Sequence, residues 1–83
     1  MDKVFAIFDT KMNSYMNPQL YKTTEQAIRA FGNGCKQEGS GLANNPEDYA
    51  MHELGHFDDV KGRYENLKEP VSIARALDYV EKA

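Results

Sequence analysis

The segment Phe57-Asp58-Asp59-Val60-Lys61-Gly62-Arg63-Tyr64 constrains the fold of this chain more than any other. Two aspartates open a turn, Gly62 can supply the positive φ that closes it, and the flanking aromatics suit extended structure, so the segment predicts a β-hairpin resuming at Tyr64. The preceding Tyr49 to Phe57 is ambiguous by period alone. Ala50, Leu54 and Phe57 fit a helical stripe, whereas the neighbouring turns favour a strand.

This same stretch contains His52-Glu53-Leu54-Gly55-His56, which spells H-E-x-x-H. In zinc peptidases that pattern places two imidazoles one helical turn apart to bind the metal, with the glutamate activating water. The surroundings argue against it here. No third histidine exists, Asp59 and Gly62 stand where an extended zincin motif has Gly and His, and the turn at Asp58 ends any helix directly after His56. Glu65, Glu69 or Glu81 would have to complete a His-His-Glu set. On a strand, His52, Leu54 and His56 are expected to share one face, with the rings too far apart for one zinc. No metal or cofactor is expected, and the zinc peptidase stays as the weakest alternative.

The rest of the chain reads as follows. Lys3 to Phe8 is short, apolar and aromatic, as in a central strand. Asp9 to Ser14 predicts a reversal into a second strand at Tyr15 to Asn17, with Pro18 ending the pairing. Thr23 and Gln26 form a capping box for a helix reaching about Lys36, with Ala27, Ile28, Phe31 and Cys35 inward and Arg29, Asn33 and Lys36 outward. Gly32 and Gly34 weaken its last turn. Gln37 to Asp48 reads as a surface loop, with Pro46-Glu47-Asp48 a single helical turn capped by Asn45. Pro70 suits the start of a second helix with Ile73, Ala74, Leu77 and Val80 as its buried stripe.

The expected fold is therefore a single α+β domain over residues 1–83, in the order ββαββα. An antiparallel sheet of two hairpins would carry two helices on one face and leave the other partly open. A short internal echo supports this layout. Phe8-Asp9 with Tyr15 and Phe57-Asp58 with Tyr64 share one spacing, and Arg29-Ala30-Phe31 resembles Arg75-Ala76-Leu77.

With 83 residues there is no room for an elaborate enclosed active site. Cys35 sits in the helical pattern as a small apolar residue, and neither it nor Ser40 lies in an elbow or oxyanion loop. Gly32, Gly34, Gly39 and Gly41 follow a helix instead of joining a strand to one, so they make no phosphate loop. No catalytic residue is expected. No apolar run is long enough to span a bilayer and the N-terminus lacks a long apolar signal region, so a cytoplasmic protein without membrane contact is expected.

The net charge is −3, but it is unevenly spread: residues 1–37 carry +2 and residues 38–83 carry −5. Cations interleave with tyrosines in two places. Lys11, Tyr15, Tyr21, Lys22 and Arg29 lie in the basic half, and Lys61, Arg63 and Tyr64 lie on the second hairpin. That mixture suits a single-stranded nucleic acid, whose bases stack on aromatic rings while lysines hold phosphates. The competing reading is that these tyrosines pack the edge of the core and the cations only solvate it.

Five segments together resemble the small nonstructural protein of gokushoviruses, the single-stranded DNA phages of the Microviridae. They are Val-Phe-Ala-Ile-Phe-Asp-Thr-Lys, Glu-Gln-Ala-Ile-Arg-Ala-Phe, Asn-Asn-Pro-Glu-Asp-Tyr, Leu-Gly-His-Phe-Asp-Asp-Val-Lys-Gly and Glu-Pro-Val-Ser-Ile-Ala, in this order along nearly the whole chain. The resemblance implies a nonenzymatic, DNA-binding phage protein of the host cytoplasm, acting in the switch from duplex replication to synthesis and packaging of single-stranded genomes. It also implies that H-E-x-x-H is accidental, because the corresponding family segment is a strand without a histidine pair. A homodimer is expected, since pairing would cover an exposed sheet edge and join two weakly basic surfaces. The alternative is a module that contacts replication or procapsid proteins through the acidic half.

Overall fold

The computed structural model describes residues 1–80. A five-stranded antiparallel sheet is formed by β1 (Asp2–Asp9), β2 (Ser14–Tyr15), β3 (Gln19–Tyr21), β4 (Tyr49–Asp58) and β5 (Arg63–Arg75). Two helices, α1 (Thr24–Lys36) and α2 (Gly41–Asn44), lie between β3 and β4. The sheet runs β2-β1-β4-β5, and β3 continues the outer edge of β1 beyond β2. The Met16 N–H still donates to the Ile7 carbonyl at 2.8 Å, pairing lapses at Asn17 and Pro18, where proline has no N–H to give, and it resumes with Gln19 opposite Phe5. The central pair is β1 with β4, in register from Asp2 opposite Phe57 to Asp9 opposite Tyr49.

Alternation along β1 sends Phe5 and Ile7 toward α1, and Val4, Ala6 and Phe8 to the other face. The helix docks Ala27, Phe31 and Cys35 on Phe5, Met51, Ala74 and Ala76, which together form the buried core. Arg29, Asn33 and Lys36 stay exposed, as their spacing predicts. Thr23 Oγ1 accepts from the Gln26 N–H at 3.1 Å, and Gln26 Oε1 accepts from the N–H of Lys22 at 3.1 Å, one residue before the expected partner of a capping box. Gly32 does not break the helix. A Cβ there would meet the Tyr79 ring at 3.3 Å, so the glycine lets that ring pack close to α1.

The expected helix from Pro70 to Val80 is absent. β5 runs through Pro70 to Arg75 and is followed by a 3₁₀ turn at Ala76–Asp78. The β-branched Val71 and Ile73 prefer extended backbone, and Val71 and Ser72 pair with Glu53 and His52 of β4. What reads as a helical stripe is partly a period of two, with Ala74 and Ala76 buried and Arg75 and Leu77 exposed. Pro70 is tolerated because it lies in a bulge: Leu67 to Pro70 stand opposite the single residue Leu54, so no ladder bond is asked of its nitrogen. The architecture is thus α+β with an antiparallel sheet as expected, but β3 joins it as a strand outside the two hairpins and the second hairpin is not followed by a helix of its own.

The expected loop from Gln37 to Asp48 contains α2, capped by Ser40 Oγ accepting from the Ala43 N–H at 3.0 Å. Pro46–Asp48 forms the expected single turn, of 3₁₀ type, although the Asn45 side chain makes no capping bond to it. No helix among the described residues is long and apolar enough to cross a membrane.

Candidate nucleic-acid interface

Two hairpins of one design stand at opposite ends of the sheet. In the first, Asp9 Oδ1 accepts from the N–H groups of Lys11 at 3.0 Å and Met12 at 3.2 Å, and Asn13 takes a φ of 53°. In the second, Asp58 Oδ1 accepts from Val60 at 3.0 Å and Lys61 at 3.1 Å, and Gly62 takes a φ of 68°. Behind each turn one phenylalanine is paired across the strands with one tyrosine. The Phe8 and Tyr15 ring centroids are 4.8 Å apart at 54°, and those of Phe57 and Tyr64 are 5.0 Å apart at 52°.

Both pairs lie on the face away from α1. Phe8 alternates with Ile7, which packs against the core, and Phe57 stands opposite Asp2, which alternates with Lys3 on the helix side. Lys3 Nζ donating to Thr24 Oγ1 at 3.2 Å fixes that side. Between the pairs, the buried Val4 and Ala6 make an apolar floor, edged by the exposed Leu20 opposite Val4. Tyr15 is 40% and Tyr64 61% exposed, enough for both rings to present surface to a ligand.

The eight residues that the sequence singles out divide by place. Lys11 and Tyr15 belong to the first hairpin, and Lys61, Arg63 and Tyr64 to the second. Lys22 reaches Asp2 with 3.8 Å between Nζ and Oδ1, which puts it at the Tyr64 end. Between such exposed side chains this pairing is weak, so the lysine keeps its availability for a phosphate. Tyr21 instead faces the helix layer, half-buried and 6.0 Å from the Phe5 ring, as the core-edge reading expects. Arg29 projects from the outer side of α1, remote from the open face. Sequence reasoning missed Phe8, Phe57, His52 and Leu20 as parts of this surface. The repeated Phe-Asp spacing was the available signal for the first two.

The histidines do not share a face. His52 stands opposite Ala6 on the open side and His56 opposite Lys3 on the helix side, because the bulge at Leu54 adds one residue between them and reverses the alternation. His52 packs its ring 5.4 Å from that of Phe8, with Nδ1 2.8 Å from the Tyr15 hydroxyl, and burial pushes its pKa below the ordinary histidine value. His56 Nε2 meets Glu65 Oε2 at 2.7 Å. Among the described residues no three His, Cys, Asp or Glu side chains are grouped to hold a metal ion.

The fold and its open face define a small α+β domain with two aromatic, cation-tipped hairpins. The chain belongs to the phage ORF5 protein family, whose model matches residues 2–79. No curated protein and no solved structure matches it.

Proposed function

We propose that this phage protein binds single-stranded DNA without catalysing a reaction, in a gokushovirus of the Microviridae, during the switch from duplex replication to single-stranded genome synthesis and packaging. The observation that carries the reading is the placement of two aromatic pairs on one open sheet face, each with its tyrosine exposed and its phenylalanine half-buried beside a turn bearing a lysine. Exposed rings offer π-faces that any base can stack on, each stack being worth roughly 1 to 3 kcal/mol, while Lys11, Lys22, Lys61 and Arg63 meet phosphates. With a net charge of −3, affinity must come from this local arrangement and not from the field of the whole molecule. The proposed setting is the host cytoplasm, and the proposed oligomer is a homodimer that doubles the surface.

The test is fluorescence anisotropy of a labelled oligothymidylate and of a matched duplex, titrated at low and near-physiological salt. Tighter single-strand binding that falls steeply with salt is expected. Absence of single-strand binding at low salt would overturn the reading and leave a module contacting replication or procapsid proteins.

A further inference from the structure

We infer that one protomer holds two single-stranded DNA segments running antiparallel, one on each hairpin. This rests on the single-strand reading above and adds the arrangement of the strands.

The argument is one of symmetry. The strand order β2-β1-β4-β5, with β1 and β4 antiparallel at the centre, has an approximate two-fold axis perpendicular to the sheet. That axis exchanges β1 with β4 and the first hairpin with the second, and it keeps each face on its own side. The residues obey it. Phe8 opposite Tyr15 corresponds to Phe57 opposite Tyr64, and Asp9 opposite Ser14 corresponds to Asp58 opposite Arg63. The ring geometries agree within 0.2 Å and 2°. At the apices the match is one of composition and not of position: each turn carries one exposed lysine and one exposed apolar side chain, but Lys11 corresponds to Val60 and Met12 to Lys61. Departures from the symmetry lie in the bulges of β4 and β5 and in the single helix layer.

A nucleic-acid strand has direction, and a two-fold axis reverses it. A strand that crosses Phe8 and Tyr15 toward the turn in its 5′ to 3′ sense has a symmetry mate crossing Phe57 and Tyr64 toward the opposite turn. One extended strand running from turn to turn meets the two hairpins in opposite senses and can suit only one of them. The pairs are separated by six residues of β1, about 20 Å, so two segments can lie on the face side by side. The structure thus favours a clamp on two antiparallel segments, as in a folded-back single-stranded genome, over a linear track.

The experiment mixes two oligothymidylates, which cannot pair with each other, one carrying a donor dye and one an acceptor, and reads anisotropy and energy transfer together. Antiparallel holding predicts transfer that is higher for a 5′ donor with a 3′ acceptor than for dyes both at 5′ ends. It also predicts that Tyr15→Leu and Tyr64→Leu each halve the number of oligothymidylates bound per protomer at saturation and lose the transfer. Anisotropy without transfer, or transfer equal in both labelling schemes, overturns the clamp and leaves single-strand binding standing. Absence of any anisotropy rise overturns both.

Discussion

The Tyr15 hydroxyl lies 2.8 Å from Nδ1 of His52, tying the outer strand of the first hairpin to the centre of the sheet across the Phe8 ring. Burial pushes the imidazole below its ordinary value of 6.5, and the neutral ring leaves Nδ1 free to accept from the hydroxyl. With the folded-state value depressed, the unfolded chain takes up the proton first. Stability from this site is therefore complete above about pH 6.5 and declines as the pH falls below that value toward the folded-state one. The expected outcome is that the urea midpoint of the wild type drops more between neutral pH and about pH 5.5 than that of His52→Gln; parallel drops would refute it. Tyr15→Phe should cost up to about 1 kcal/mol at neutral pH, as expected for one partly exposed hydrogen bond.

Gly55 permits β4 and β5 to approach where the bulge ends. A Cβ at this position would collide with the carbonyl oxygen of Glu65 and lie 2.9 Å from the Cα of Asn66, and neither backbone atom can swing aside as a side chain can. Gly55→Ala should therefore cost about 2 kcal/mol or more. Gly34→Ala is the control, since its Cβ would meet only the Leu42 side chain at 3.2 Å. Equal denaturation midpoints for the two variants would show that the β4–β5 contact is looser than described.

The two turns solve one conformational problem with different residues. Gly62 at φ 68° and Asn13 at φ 53° both occupy the left-handed region four residues after the capping aspartate. Gly62→Ala should destabilise by about 1 to 2 kcal/mol, whereas Gly62→Asn should cost clearly less, since asparagine tolerates this region. Asn13→Gly should be nearly neutral. Asp58, only 7% exposed, matters more than its counterpart Asp9, so Asp58→Ala should lower the melting temperature further than Asp9→Ala.

Both hairpins were legible in the sequence because turn chemistry is local: an aspartate, a residue that accepts positive φ and a flanking aromatic pair determine the outcome within eight positions. The first helix was legible for the same reason, with Thr23 and Gln26 marking its start and Ala27, Phe31 and Cys35 its buried side. The expected helix from Pro70 failed because its apolar spacing satisfied two periods at once. Only the pairing of Val71 and Ser72 with β4, set by the rest of the fold, selects the strand. The placement of the histidines failed for a similar reason: nothing in His52 to His56 announces the bulge at Leu54 that turns one ring away from the other. Tyr21 and Tyr15 look alike in sequence, and only sheet alternation assigns one to the core and one to the open face.

That assignment allows the candidate interface to be dissected by face. Tyr64→Ala removes a ring that is 61% exposed and, among the described residues, makes its aromatic pair with Phe57 alone, so it should leave the melting temperature nearly unchanged. If a base stacks on it, the affinity of the second hairpin for oligothymidylate should fall by about 1 to 3 kcal/mol while that of the first stays as it is. Lys22→Ala and Lys61→Ala should each weaken binding and make the dependence of log affinity on log salt shallower by somewhat less than one, about 0.7 for a contact to a single strand. Arg29→Ala, on the outer side of α1, should change neither quantity. A loss for Arg29→Ala equal to that for Lys61→Ala would place the DNA on the helix side and refute the open face as the contact surface.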